Sequence, residues 1–354
     1  MSWRTFADSF RHIRRLTDDT GILEHALGRI PRRKEGYSTD DQARALWLCL
    51  EWLPWVRGEE ARALHRLIDT YLSFLLWVQK EDGHFHNNIA YDRSKESEKP
   101  SDDCLGRGLW AAALSLTVLK DRERRLAAQE IFDKALPQAA GMRSPRGWAY
   151  ALSAVSLLAR SGYPRDLAAE INLLAGRLME VYDSHASADW RWYEPTVAYG
   201  NGVLPWGLLN GYEMKRDRRM LDTALESLDF LIRLSVNERG QIRPVGNRGW
   251  CVPGRRALWD QQPLDVMKLA LAVSKAFELT GRKGYAEVAE RCLAWFHGDN
   301  DGGTALADPD EGSCCDGLGQ YGANRNQGAE AAISYLLTEA ICRKLAEARK
   351  HPHT

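Results

Sequence analysis

Polar and apolar positions alternate along this chain on a scale longer than a single helix. Six times, a turn bearing Gly, Asp or Asn opens a stretch that is apolar on nearly every face, and a more amphipathic stretch follows. The openings read TDDQARALWLCL from Thr39, SDDCLGRGLWAAAL from Ser101, SPRGWAYALSAV from Ser144, YGNGVLPWGLLN from Tyr199, WDQQPLDVMKLAL from Trp259 and NQGAEAAISYLL from Asn326. In the first, Ala43, Leu46, Trp47, Leu50 and Leu53 recur at helical spacing while Ala45 and Leu48 fill other faces. A helix apolar nearly all round is buried. Over Glu59 to Gln79, by contrast, Leu64, Leu67, Ile68, Tyr71, Leu72 and Leu75 form one stripe opposite Glu60, Arg62, Arg66 and Asp69, the mark of a half-exposed helix.

The alternation predicts inner helices beginning near Thr39, Asp102, Pro145, Gly202, Gln261 and Gln327, the first ended by Pro54. Outer helices are expected over 59–79, 122–137, 164–182, 217–236 and 283–297. A helix from Trp3 to Leu16 is left to partner the last, 326–349. Twelve helices in six hairpins predict an all-α closed ring, and residues 1–354 are expected to form one domain because no single pair can bury its own faces. In such a ring the inner helices run the same way, so their polar N-termini meet at one end. The long, Gly-rich outer-to-inner connections lie at that end too. QKEDGHFHNN after Val78 and VNERGQIRPVGN after Ser235 are each expected to form a small hairpin or turn over the mouth. Functional residues concentrate on loops held by a rigid scaffold.

Composition narrows the classes. The 354 residues are 44% hydrophobic and 27% charged, with zero formal net charge. That is an ordinary globular balance, without the basic face that nucleic acid or an anionic membrane favours. The basic runs at Arg32–Lys34 and Arg216–Arg219 are short and expected on the surface. No apolar run reaches the roughly 18 residues of a membrane span, and MSWRTFADSFRHIRRL carries acid, unlike a secretory signal. Seven scattered Cys fit reduced, buried thiols in a cytosolic protein. Cys314-Cys315-Asp316 is a poor zinc signal, because no spaced Cys pair complements it and no His follows before the tail at His351 and His353. Phosphate-loop and dinucleotide fingerprints are missing from the sequence, and no cofactor is implied.

Five ordered segments carry a resemblance. GYSTDDQARAL (36–46), DCLGRGLWA (103–111), WRWYEPTVAYGNGVLPWGL (190–208), DQQPLD (260–265) and DGLGQYGANRNQGAEAAISYLL (316–337) match signatures that read GYxTDDxARAL, DxxGRxLWA, WxWFExxLxYxNxxLPxAL, DQQPxxA and DGLxxxxxNxNQGAES. The chain thereby resembles a bacterial group within the six-hairpin glycosidase superfamily, associated with sugar metabolism. The resemblance implies an (α/α)6 toroid and a carbohydrate-active enzyme, expected to be a glycoside hydrolase of the inverting type acting on an oligosaccharide. Tyr193, Gly202 and Asp265 depart from the group's Phe, larger side chain and Glu, leaving the carboxylate positions intact.

Glycoside cleavage needs one carboxyl held protonated and a second carboxylate to activate water or attack. Glu194, in DWRWYEP, is the expected general acid, since Trp190, Trp192 and Tyr193 could exclude water around it. The competing reading is a loop carboxylate holding backbone amides. Asp41 or Asp103 is the expected base, with the other binding sugar hydroxyls. Asp40 and Asp41 could equally be an acidic first turn beside an N-cap, their side chains about 100° apart. Asp102 and Asp103 repeat that arrangement, and Arg107 sits within reach of Asp103. Asp260 could be an N-cap before Pro263. Gln261, Gln262, Asn201 and Asn326 have the paired donors and acceptors that hydroxyls want. Glu330, expected four residues into the last helix, needs a task or a partner such as Arg325. Of the thirteen Trp, Trp148, Trp190, Trp192, Trp206, Trp250 and Trp259 fall near the expected rim and could stack on sugar, half of them packing loops instead. Two alternatives stand beside hydrolysis. A sugar epimerase on this scaffold would use inward His, but the inner helices carry none and His84, His86 and His185 fall in loops. A non-catalytic glycan-binding protein would need the aromatics and amides without a close carboxylate pair.

Overall fold

The computed structural model describes residues 5–97 and 99–350. Its helices are α1 (Phe6–Ser9), α2 (Arg11–Leu16), α3 (Thr39–Trp52), α4 (Gly58–Val78), α5 (Asp102–Val118), α6 (Arg122–Ala135), α7 (Pro145–Arg160), α8 (Ala168–His185), α9 (Val203–Lys215), α10 (Arg218–Leu234), α11 (Pro263–Thr280), α12 (Lys283–Phe296) and α13 (Ala329–Lys350). The odd-numbered helices from α3 to α13 form an inner ring, each packed on the next, and α13 returns to α3. Their even-numbered neighbours pack outside, and α2 lies against α13 in the sixth outer place. The fold is an all-α (α/α)6 toroid.

Local chemistry explains where the inner helices begin. Ser38 caps α3 by accepting from the Asp41 N–H at 3.2 Å, and Ser101 caps α5 from the Cys104 N–H at 3.3 Å. Pro145 and Pro263 open α7 and α11, where a missing N–H costs nothing. Several boundaries differ from expectation. The first helix is broken at Phe10 (φ −100°, ψ 7°), whose ring packs edge-on to Trp52 at 5.2 Å; Trp3 lies outside the described residues. The N-cap of α11 is Gln262, not Asp260. Glu330 is the second residue of α13, so it belongs to the first turn. The two long turns close as expected, with single bridges Gln79–Phe85 and Val236–Ile242. Other rim loops pair in two-stranded sheets, including Tyr37–Ser38 with Asn88–Ile89 and Gly317–Gly319 with Gly322–Asn324.

Buried apolar residues of all the helices join in one core. Its centre is an indole cluster drawn from α3, α5 and α9: Trp110 lies 4.7 Å and Trp47 6.1 Å from Trp206, centroid to centroid. Trp206, expected near the rim, is therefore core. All seven cysteines are free. No helix among the described residues is long and apolar enough to cross a membrane.

The glycine at 202 now has a reason. A Cβ there would lie 2.0 Å from the carbonyl oxygen of Lys268, so the start of α9 touches the backbone of α11 with no room for a side chain. Its own backbone is ordinary (φ −61°), which makes space the only obstacle. Gly202→Ala is expected to destabilise the fold by about 3 kcal/mol, the upper range for overpacking, measured by urea unfolding. A loss below about 0.5 kcal/mol, within the scatter of surface substitutions, would contradict this contact.

Candidate functional site

Two adjoining cavities of about 250 and 280 Å³ open at the N-terminal end of the inner ring. Asp40, Arg44, Gln262 and Glu330 line both. The first also takes Glu24, His25, Asp41 and Asp316; the second takes Asp103, Arg107, Tyr199, Trp250 and Asp265. Side chains from α3, α5, α11 and α13 thus share one mouth.

Two guanidinium groups organise it. Asp40 and Asp41 diverge around α3 as successive helical residues must. Asp40 Oδ1 pairs with Arg107 of α5 at 2.7 Å, while Asp41 Oδ1 pairs with Arg44 of its own helix at 2.7 Å. The other guanidinium arm of Arg44 reaches Glu330 of α13 at 2.9 Å, and this, not Arg325, is the partner that Glu330 required. Arg107 also pairs with Asp103 at 3.8 Å, so the anticipated pair within α5 is present beside the tighter one across helices. Asp103 is further held by the Ser144 hydroxyl at 2.6 Å and the Tyr199 hydroxyl at 2.8 Å, both donating to it.

The charges are unevenly matched, and the proton affinities follow. Desolvation would raise Asp40, but the charges of Arg107 and Arg44 outweigh it and hold this carboxyl below its ordinary value. Asp41 goes the other way: burial dominates, Arg44 only partly offsets it, and Glu330 adds to the push upward. Glu24 is pushed up to about 7, first by burial and then by the Asp41 charge. Asp316 is also raised by burial, against a hydrogen bond from the Gly328 N–H at 2.6 Å. Beneath the second cavity, burial lifts Asp265 to about 7, partly offset by the backbone N–H groups of Asn201 and Gly200.

Lys268 and Glu24 are absent from the site expected from sequence. Lys268 of α11 is 1% exposed, its Nζ 4.7 Å from the centre of the Trp47 ring and 4.8 Å from that of Tyr150. Burial, then Arg107 and Arg44, hold its amine well below the ordinary lysine value. Arg44, Arg107 and Lys268 each stand six residues past an N-cap, Ser38, Ser101 and Gln262. That recurrence was the available signal. Glu24 had none beyond its position: Ile22, Leu23 and Ala26 are buried around it, which turns Glu24 and His25 toward the mouth, 3.5 Å from each other.

Several expected site residues do not reach these two cavities. Glu194 stands behind Arg146, which grips both carboxylate oxygens at 3.0 and 2.9 Å and also donates to the Tyr199 carbonyl at 2.6 Å. Trp192 is fully buried against Tyr193 and Phe230, so its ring has no face for a sugar. Gln261 is fully buried as well: its amide donates to Asp301 at 2.7 Å and accepts from the Trp295 indole at 3.1 Å. Extended backbone alternates faces, and it is Gln262 that faces the cavities. Asn201 is buried, donating to the Ala198 carbonyl at 2.9 Å. Asp102 accepts from the N–H groups of Arg143 and Ser144 at 2.6 and 2.8 Å, tying down the loop before α7. Asn326 accepts from the Gly28 N–H at 3.2 Å. Asp260 lines a third cavity, paired with Arg248 at 3.1 Å. Among the described residues, no group of three or more His, Cys, Asp or Glu is placed to hold a metal ion; the tail histidines lie outside them.

No protein-family model matches the chain, and none of the curated proteins matches it. Solved structures do. A cellobiose 2-epimerase from Bacillus thermoamylovorans superposes with a TM-score of 0.70 at 12% identity, covering 94% of this chain and 95% of its own. A D-mannose isomerase gives 0.67 at 12% identity over 97% and 100%. The GH76 α-mannanase of Bacteroides thetaiotaomicron gives 0.61 at 11% identity over 88% and 87%. Epimerase, isomerase and hydrolase thus share this scaffold, and the chain has their (α/α)6 toroid fold.

Proposed function

We propose that the protein is a glycoside hydrolase acting on an oligosaccharide, with Glu24 as general acid and the Glu330 carboxylate as base. The observation that carries the reading is the excess of carboxyl groups over cations in the mouth, with one of them, Glu24, raised to about 7. A general acid works best when its proton affinity sits near the working pH. Glu24 is preferred to Glu194 because Arg146 pairs with both Glu194 oxygens. Glu330 suits the base because its side chain is 42% exposed and oriented by Arg44, so water can reach it.

Glu24 gives its proton to the glycosidic oxygen as the bond to the anomeric carbon breaks. Water attacks that carbon, and Glu330 takes the proton that water releases. Solvent then returns one proton to Glu24 and accepts one from Glu330. Asp40, Asp103, Arg107 and Gln262 bind sugar hydroxyls, with Tyr199 and Trp250 as an aromatic wall. Asp41 acts through Glu24 and Arg44. An inverting outcome is favoured by the resemblance to the superfamily.

The second reading is sugar epimerisation or isomerisation, favoured by the position of His25 in the first cavity beside Glu24. A panel of manno-, gluco- and uronic oligosaccharides, followed by NMR of product anomers, separates the two: hydrolysis shortens the chain, whereas epimerisation keeps its length.

For hydrolysis, Glu24→Gln is expected to lower kcat by about 10²–10⁴-fold on natural linkages, and less on aryl glycosides whose leaving groups need no proton. The pH profile follows from the sign of the shift. A raised carboxyl is protonated below about 7, so wild-type activity should fall as pH rises through that value, and the variant should lose that limb. Wild-type turnover in Glu24→Gln, or an isomerised sugar of unchanged length, would overturn the assignment.

A further inference from the structure

The cavities do not end at the carboxylate cluster. A third, of about 540 Å³, continues outward, and Gln262 lines all three. One wall is the hairpin of Gly317–Gly319 and Gly322–Asn324. It is fastened to the segment entering α11, where Gln261 and Leu318 exchange backbone hydrogen bonds at 2.9 Å in both directions. Arg248 and Asp260 form the opposite wall, ion-paired at 3.1 Å.

The hairpin tip is chemically out of place. Its strands pair Gly319 with Gly322, leaving Gln320 and Tyr321 as a two-residue turn. Such turns favour Asn, Asp and Gly at the tip, so turn chemistry does not explain a tyrosine. Packing does not explain it either, because Tyr321 is 95% exposed. A large ring left in water at the edge of a polar groove has the form of a stacking platform: an apolar face with one polar edge suits the C–H face of a pyranose. Gln262, Gln320, Asn324 and the Asp260 carboxylate supply donors and acceptors for its hydroxyls. One Asp260 oxygen is buried without a hydrogen-bond partner, an acceptor that a sugar hydroxyl would satisfy.

We propose that this groove is an outer sugar subsite, with Tyr321 stacking on the ring it holds, and that the substrate is an oligosaccharide longer than a disaccharide. The inference deepens the hydrolytic reading and rests on it for the position of the cleaved bond. Chain extension past the disaccharide then adds affinity through Tyr321, which takes no part in the chemistry.

The test is a size series of manno- and gluco-oligosaccharides from disaccharide to pentasaccharide, with an aryl monosaccharide glycoside as the short control. Binding is read by calorimetry and turnover by product analysis, for the wild-type protein, Tyr321→Ala and Tyr321→Phe. Tyr321 is exposed, so neither substitution threatens folding. Tyr321→Ala is expected to weaken binding and raise KM for the longer chains by roughly 2- to 12-fold, the range of one aromatic stacking contact. Its kcat and its KM on the aryl glycoside should stay unchanged. Tyr321→Phe, which keeps the ring face, should restore the long-chain values. Equal effects of Tyr321→Ala on short and long substrates would overturn the subsite, as would failure of the wild-type protein to bind any chain in the series. Binding that depends on Tyr321 without cleavage of any chain would support the subsite and refute the hydrolytic reading.

Discussion

Desolvated charge at one end of the helical ring is the constraint on which the rest of the mouth depends. Removing a carboxylate from water costs several kcal/mol unless a counter-charge and hydrogen bonds replace what water gave. Arg44 and Arg107 meet that requirement for Asp40 and only partly for Asp41, and by reaching across helices they tie α3 to α5 and α13. They do not suffice for the carboxyls that remain. Glu24 and Asp316 keep their protons to higher pH, and Asp265 does the same below. Lys268 meets the opposite problem: burial and two nearby guanidinium groups disfavour another positive charge and hold its amine well below the ordinary lysine value, where it rests on aromatic rings. One uneven distribution of charge thus yields an ion-paired set of carboxylates beside a protonated one, the pairing that bond cleavage by acid and base requires.

The scaffold keeps that arrangement rigid. The indoles of Trp47, Trp110 and Trp206 fill the centre of the ring beneath the mouth, and the contact at Gly202 sets α9 against the backbone of α11. Side chains on helix N-termini have little freedom to drift, and preorganised charge acts without the cost of reorienting solvent. Outside this frame stand the loops that carry Glu24, Tyr199, Trp250 and the 317–324 hairpin. Solved structures of an epimerase, an isomerase and a mannanase share this fold, so the fold alone does not set the chemistry.

Much of this was legible in the residues, and the failures share a cause. Hydrophobic periodicity marked the inner helices because full burial and one-sided burial leave different patterns, and the polar openings marked the mouth. Position along the chain did not reveal orientation. Gln261 and Gln262 are adjacent and chemically identical, yet opposite faces of one extended segment send the first into the core and the second into the cavities. Glu194 had suggestive aromatic neighbours, but the residue that decides its role, Arg146, is 48 positions away in sequence. Glu24 lies in a loop without a motif, and its proton affinity comes first from burial and then from the Asp41 charge, both of which only folding supplies. Lys268 was passed over, although it stands six residues past its N-cap as Arg44 and Arg107 do.

The central claim is that Glu24 holds its proton near neutral pH beside the ion pairs of Arg44 and Arg107. A carbon-13 NMR titration of the glutamate carboxyl groups tests it most directly, with the Glu24 signal assigned by its loss in Glu24→Gln. The account predicts a midpoint of about 7. A midpoint near the unperturbed glutamate value of about 4.3 would contradict it.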